Sequence, residues 1–179
     1  MGEHYFLTAN RLGFRNWNTG DLVQATSIWG DEVAARFTGG PLTDTQIHNR
    51  LITENRLLKI YNVQHWPMFR LETNEFVGCC GLHPYKPREK VYEMGIHVCK
   101  EYQGKGFATE AAHAVIEYAF ADLGATALFA SPHPDDVVAK KLLENLGFLH
   151  MGDVYSEPTR LPHPSYLLEK VNYCSYCLR

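Results

Sequence analysis

The chain lacks any uninterrupted apolar run approaching the ~20 residues that a membrane-spanning helix requires, so no membrane segment is expected. Its opening residues, Met1-Gly2-Glu3-His4-Tyr5-Phe6, have neither the basic start and apolar core of a secretory signal nor the Ser or Thr at position 6 that N-myristoylation prefers. A cytoplasmic location follows as the expectation. Positive charge is not in excess either. Seventeen Lys and Arg stand against 20 Asp and Glu, a net charge of -3, which excludes the polybasic footprint of a nucleic-acid or anionic-membrane binder and slightly favours a cationic ligand. Cysteine is scarce and odd in number. Five residues, with Cys79 and Cys80 adjacent, do not form a disulfide framework and suit a reducing compartment. Cys174 and Cys177 have C-x-x-C spacing, but no second pair completes a zinc set, so no metal is expected.

Repeats, low-complexity tracts and long linkers are also missing, and 179 residues is a length at which one core buries most of the apolar surface. The expectation is one domain over 1–179, with a core from about 7 to 171 and a tail over 172–179. Alternation around Leu12 and Phe14 reads as a half-buried opening strand. Asp21 is placed to cap a helix over 22–29, and a second short helix is expected over 31–37. Thr43 and Gln46 have capping-box spacing before a longer helix carrying Ile47, Leu51, Ile52 and Leu58.

Three strand-like segments follow, 66–71, 76–82 and 91–98, the first two joined by the turn-like Glu72-Thr73-Asn74-Glu75. Connections so short predict an antiparallel meander. The pattern then changes to a helix reaching Leu123, a strand over 125–131, a helix over 136–146 ended by Gly147, and strands near 150–155 and 165–171. Antiparallel strands followed by a β-α-β unit predict an α+β fold, a mixed sheet with helices on both faces.

The most informative stretch lies between the third strand-like segment and its following helix: Glu101-Tyr102-Gln103-Gly104-Lys105-Gly106-Phe107-Ala108-Thr109-Glu110. Glycines let the backbone approach a ligand closely, and the free amides at the start of the next helix carry partial positive charge, so the loop reads as a phosphate site. It is neither of two familiar phosphate loops. The dinucleotide fingerprint would need glycine where Thr109 stands, and the Walker pattern needs Ser or Thr after the lysine, where Gly106 follows Lys105.

Gln103-x-x-Gly106-x-Ala108 matches the Q/R-x-x-G-x-G/A motif of the GNAT superfamily of N-acetyltransferases, and the run Tyr102 to Ala111 resembles its RimJ/RimL-type branch. Leu7 to Arg15, Gly78 to His83, Glu93 to Ile96 and Leu143 to Phe148 resemble the family's opening strand, third strand, fourth strand and late helix in the expected order. The resemblance spans Leu7 to Val171. It implies a three-layer fold with a splayed pair of central strands that admits the pantetheine arm of acetyl-CoA. It also implies cosubstrate contacts along Ile96, His97, Val98, Gln103, Gly104, Lys105, Gly106, Phe107, Ala108, Thr109, Asp136 and Lys140. The implied reaction is direct transfer of acetyl to an amine, a protein N-terminus or a small molecule, by a monomer or homodimer.

Such a transfer needs a base for the amine, donors for the developing oxyanion and a proton for the departing thiolate. Period-two alternation puts Glu93, Gly95 and His97 on one strand face. Glu93 is the first candidate base, by its likeness to the family's acidic residue, and His97 the second. A surface carboxylate and a structural histidine are the plainer readings of the same two residues. The family often has Asn at Asp136 and Ser at Ala139. Ionised Asp136 cannot donate a hydrogen bond, though it serves as a helix N-cap, and Ala139 has no hydroxyl, which leaves Tyr155 or water to protonate the thiolate. A CoA-binding module that has lost catalysis is the rival reading.

Overall fold

The computed structural model describes residues 4–176. The chain opens with β1 (Leu7–Thr8) and β2 (Leu12–Phe14), then α1 (Leu22–Trp29), α2 (Glu32–Ala35) and α3 (Asp44–Tyr61). A meander follows: β3 (His65–Arg70), β4 (Phe76–Lys86) and β5 (Val91–Val98). The rest comprises α4 (Phe107–Ala121), β6 (Ala127–Ala130), α5 (Val137–Asn145), β7 (Leu149–Ser156), β8 (Leu161–Glu169) and α6 (Lys170–Tyr176). The strands make one sheet in the order β1-β2-β3-β4-β5-β6-β8-β7.

Every neighbouring pair is antiparallel except β5 and β6, which run parallel because the loop and α4 carry the chain across between them. That parallel pairing is short. It joins Val91 to Ala127, Tyr92 to Leu128 and Glu93 to Phe129, after which β5 continues to Val98 while β6 ends at Ala130. A V-shaped gap therefore opens in the sheet just past Glu93.

The two faces of the sheet carry different helices. Met94, Ile96 and Val98 point to the larger core, where Leu12, Phe14, Trp66, Met68, Leu82 and Leu128 pack against the alanine-rich side of α4. Small residues Ala111, Ala112 and Ala119 let that helix sit close to the strands. On the opposite face, Trp17, Ala25, Ile28, Trp29, Ile47 and Leu51 pack with Cys79 and Cys99 beneath α1 and α3. Glu93, Gly95 and His97 alternate with the first set and so share this second face.

Several boundaries depart from the sequence reading, each for a local reason. The opening strand over Leu7 to Arg15 is a hairpin of two short strands, because Ala9 bonds back to the Leu12 carbonyl (2.8 Å). Asp21 makes no cap bond. Its carboxylate accepts instead from Arg15 (2.7 and 2.8 Å) and from the Asn18 amide (2.8 Å), a buried ion pair that outcompetes the helix end. The Thr43–Gln46 capping box is present. The last strand ends at Glu169, and Val171, expected to close it, lies in α6. The Cys174/Cys177 pair lies outside the residues whose side chains are described.

Along α3 the core stripe is Ile47, Leu51 and Glu54, with Leu58 half-buried, whereas Ile52, expected inside, is 55% exposed. Glu54 is fully buried in a position that helix periodicity reserves for an apolar side chain. It accepts from Arg50 Nε (2.7 Å), from the His65 amide (2.9 Å) and from His83 Nε2 (3.0 and 3.1 Å to its two oxygens). Removing one partner of a buried charge network strands the rest. Glu54→Ala is expected to destabilise the fold by about 3–5 kcal/mol, measured by urea denaturation, and a loss below about 1 kcal/mol would contradict the network's weight.

Candidate active site

The phosphate loop is built by backbone geometry. Gly104 and Gly106 both adopt left-handed backbone, with φ of 72° and 81°, and nothing crowds the space where a Cβ at Gly104 would stand. The first bond of α4 runs from the Glu110 amide to the Gly106 carbonyl (3.1 Å), which leaves the amides of the preceding turn free, as at any helix start. Lys105 and Thr109 are exposed, and Phe107 is buried under the turn. Gln103 contributes more than a motif position. Its side-chain amide donates to the Val98 carbonyl (3.0 Å) and ties the loop to the end of β5.

Arg11 went unnoticed in the sequence, yet it clamps this loop from β2's side. Its backbone amide and Nε donate to the two oxygens of Glu110 (2.6 and 2.7 Å), its Nη1 donates to the Lys105 carbonyl (3.2 Å), and its guanidinium lies 4.1 Å from the centre of the Phe107 ring. Glu110 stands in the first turn of α4, where its charge would repel a bound phosphate. Pairing with Arg11 neutralises it. The free amides, the two glycines and the open edge of β5 at Ile96, His97 and Val98 together fit a pantetheine-pyrophosphate ligand.

Glu93 sits at the apex of the V, the last β5 residue paired to β6. It lies directly across from His83 on β4, so their Cβ atoms are about 5 Å apart on one face. Burial pushes its carboxyl above the usual carboxylate range, against the opposing pull of His83 and Arg50. His97, two residues on, is driven the other way. Burial, then Arg50 and His83, hold its imidazole down to about 4, with Glu54 resisting. Of the two sequence candidates, Glu93 is therefore the stronger base near neutral pH.

His65 and His83 complete the cluster, and neither was singled out by sequence. Their rings stack in parallel, 3.8 Å between centroids and 5° between planes, and His97 lies 6.4 Å from His65. Glu54, His65 and His83 bring potential metal-ligand atoms within 4.8 Å of one another. Two observations speak against a cation there. Imidazole lone pairs lie in the ring planes, so two parallel rings cannot converge on one ion, and the Arg50 guanidinium already occupies both Glu54 and His65 Nδ1 (2.7 and 3.3 Å).

Three further candidates stand apart from this cluster. Tyr155 is 63% exposed on the edge strand β7, three strands or roughly 14 Å from β5, and is not brought to Glu93 or His97. Asp136 caps α5, accepting from the Ala139 amide (2.9 Å). Lys140 donates to the Pro134 carbonyl (2.8 Å), which ties its ammonium to the loop before α5. Cys79, Cys80 and Cys99 are buried free thiols whose pKa values burial pushes up, Cys99 to about 12, so none serves as an acyl-carrying thiolate.

The depressed histidines set the response to acid. His65 and His97 bind protons more weakly folded than unfolded, so the unfolded chain takes up more protons once pH drops below about 6.5, and stability falls from there down towards pH 4. Glu54, held below its usual range, adds a further loss at the acid end, while Glu93 works in the opposite direction. The urea midpoint is expected to fall between pH 7 and pH 5, and His97→Gln to shrink that fall. An unchanged fall in the variant would remove His97 as a source.

Comparison with known proteins agrees with this geometry. The family described as "Acetyltransferase (GNAT) domain" matches residues 11–149. The uncharacterized N-acetyltransferase p20 of Bacillus licheniformis is 28% identical over 148 residues, 82% of this chain and 83% of its own. A GNAT-family acetyltransferase structure from Bacillus anthracis superposes with a TM-score of 0.78 at 22% identity, covering 91% of this chain and 97% of that one. The spermidine N-acetyltransferase of Vibrio cholerae, solved with CoA and spermine, gives 0.78 at 16% identity over 92% and 98%. With a family match over most of its length, laid on a sheet that opens beside a glycine loop, this chain belongs to the GNAT acetyltransferases and is an acyltransferase enzyme.

Proposed function

We propose that the chain binds acetyl-CoA along the Gly104–Ala108 loop and the open edge of β5, and transfers the acetyl group to an amine presented on the Glu93 face. The observation that carries this reading is the position of Glu93. A half-buried carboxyl whose pKa desolvation raises stands at the point where the sheet opens, on the face away from α4. Acetyl-CoA supplies the acetyl group as a thioester. The free amides of the loop and α4 hold its phosphates, and Glu93 takes the amine's proton, directly or through water. Neutral His97 lines the wall beside it. Ala139 has no hydroxyl and Tyr155 is remote, so water protonates the departing thiolate.

The acceptor enters between aromatic and histidine walls. Phe37, from the segment after α2, stacks on His133 (5.2 Å), which meets the buried His163 edge-on (5.2 Å), while Tyr85 stacks on Phe129 (4.1 Å) beside Glu93. The backbone at Gly39 approaches Pro158 in the β7–β8 turn, so the 36–41 segment borders the same side. These walls suit a small amine or an exposed protein N-terminus, the latter in keeping with a RimJ/RimL-type branch. Among the described residues no helix is long and apolar enough to cross a membrane, and the buried free thiols accord with the cytoplasm. A panel of amines and N-terminal peptides, read by thiol release and product mass, tests the activity. Acetyl-CoA turnover with none of them would count against it.

Two variants separate binding from chemistry. Gly106→Val places a β-branched residue at positive φ, where it is strongly disfavoured, and is expected to abolish acetyl-CoA binding by calorimetry in a protein still folded by circular dichroism. Native affinity would misplace the phosphate site. Glu93→Gln keeps shape but removes basicity. Turnover is expected to fall about 10²- to 10⁴-fold with acetyl-CoA affinity unchanged, and to recover in part at high pH, where the amine is already neutral. A small loss independent of pH would make Glu93 a positioning group.

A further inference from the structure

Strand β4 carries one residue more than its pairing with β5 can use. Pro84 stands opposite Tyr92 and Lys86 opposite Val91, so Tyr85 is the extra residue of a β-bulge. A bulge re-aims the side chain it carries, and bulges gather beside active sites. Here the ring crosses β5 and lies flat on Phe129 of β6, with 4.1 Å between centroids and 3° between planes. Phe129 is the direct partner of Glu93 in the parallel pairing. One row across the sheet therefore reads His83, Glu93, Phe129, Leu167 and Leu149, and Tyr85 rests on it just beside the carboxyl.

The surroundings of this ring are apolar. Val91, Ala127 and Phe129, with Val154 and Leu167 against them, form a cluster of their own, and every member comes from a strand. Helices α1 and α3 pack with a different cluster, around Trp17 and Ile47. Beneath Tyr85, Phe129 is only 7% exposed, whereas Tyr85 itself is 41% exposed. With one face on Phe129, the tyrosine offers its other face outward. A lone exposed aromatic needs no explanation, since apolar atoms make up much of any protein surface. This one is set apart by its place: a bulge directs it, a stack immobilises it, and one strand pairing separates its support from Glu93.

The charges nearby argue against a second ammonium on the acceptor. Lys86 Nζ stands 5.9 Å from the Tyr85 ring centre, at the outer limit of a cation–π contact, on a side chain 54% exposed. A ligand ring displaces it without breaking a close contact, while a second cation meets its charge. Glu54, the carboxylate that α3 brings to this face, is fully buried and already holds Arg50 and His83. What the open face of Tyr85 can hold is a flat apolar body, and aromatic rings gain there beyond the area they bury.

We propose that Tyr85 is a specificity-determining residue of the acceptor side, its open ring face stacking on the body of an arylalkylamine, one primary amine joined by a short chain to an aromatic ring. This rests on the acetyltransferase reading above. With the nitrogen at Glu93, the short chain brings the acceptor's ring onto Tyr85, where it continues the stack that Phe129 begins.

Phenethylamine and cyclohexylethylamine carry the same chain on an aromatic and a saturated ring. The ratio of their kcat/KM values is expected to favour phenethylamine about fivefold more in the native enzyme than in Tyr85→Leu, with acetyl-CoA affinity unchanged. Comparing ratios between enzymes cancels the difference in amine basicity. Tyr85→Phe keeps the stack and is expected to keep the native ratio. Ratios equal within about twofold in native enzyme and Tyr85→Leu would overturn the proposal. So would a Tyr85→Phe that behaves as Tyr85→Leu, since the hydroxyl would then be the selecting group. Faster turnover of putrescine, which carries a second ammonium, would overturn the substrate class. NMR of the native protein with CoA added decides without turnover. The Tyr85 ring protons, assigned by their loss in Tyr85→Phe, are expected to shift under the ring current of phenethylamine and not with cyclohexylethylamine. Protons unmoved by both amines, or moved equally, would overturn the stack. Absence of turnover with every amine falls on the functional reading, while the NMR outcome still decides the role of Tyr85.

Discussion

Glu54 is a carboxylate held in a core position, and Arg50, His65 and His83 on the Glu93 face of the sheet are arranged around its charge. Ionised and buried, it is tolerable only because three donors meet it: the Arg50 guanidinium, the His65 amide and His83 Nε2, which is shared between both oxygens. Each bond also fixes something else. Arg50, whose guanidinium lies 5.3 Å from the centre of the Trp29 ring, connects α3 to α1 and sets the His65 tautomer. His83 is oriented so that its ring backs His65 and its strand position faces Glu93. The helix that lends Glu54 to the core thereby determines which histidine nitrogen reaches the strand carrying the chemistry.

A second constraint comes from the sheet. Parallel pairing of β5 and β6 stops after three residues, and the backbone of β5 beyond it must find other partners. An extended ligand arm can supply them, and the loop at the end of the same strand holds the free amides suited to the ligand's phosphates. Gln103 bonded to Val98 and Arg11 bonded to both Lys105 and Glu110 keep strand end and loop in register. In the proposed reaction cosubstrate and acceptor meet β5 from different sides, one along its edge and one on its face. Glu93 sits where they join.

What the sequence made legible was local. Glycines at 104 and 106 announce left-handed backbone before a helix, Thr43 and Gln46 announce a helix start, and period two alone puts Glu93 and His97 on one face. What stayed hidden was pairing over distance. Arg11 and Glu110 lie 99 positions apart, and Glu54 meets His83 across 29. Neither partner carries a spacing signal. Glu54 was further concealed because helix periodicity admits any residue to the stripe and hydrophobicity argues against a glutamate, so Ile52 looked the better core residue. The hairpin at β1 and β2 was missed because a two-residue strand leaves too little alternation to read.

The departures at Asp136 and Ala139 weigh differently once the two sides are distinguished. Asp136 spends its carboxylate on the first turn of α5, so its difference from Asn costs a donor but no structure. Ala139 removes one source of a proton for the thiolate, a group that solvent can protonate readily in so open a gap. Neither change touches the Glu93 face, where the proposed reaction places removal of the amine's proton, without which the amine cannot attack. There the protein has placed a carboxyl of raised pKa beside two histidines held neutral by burial and by Arg50. In the proposed reaction, imidazoles without positive charge leave Glu93 as the group on that face suited to take the amine's proton.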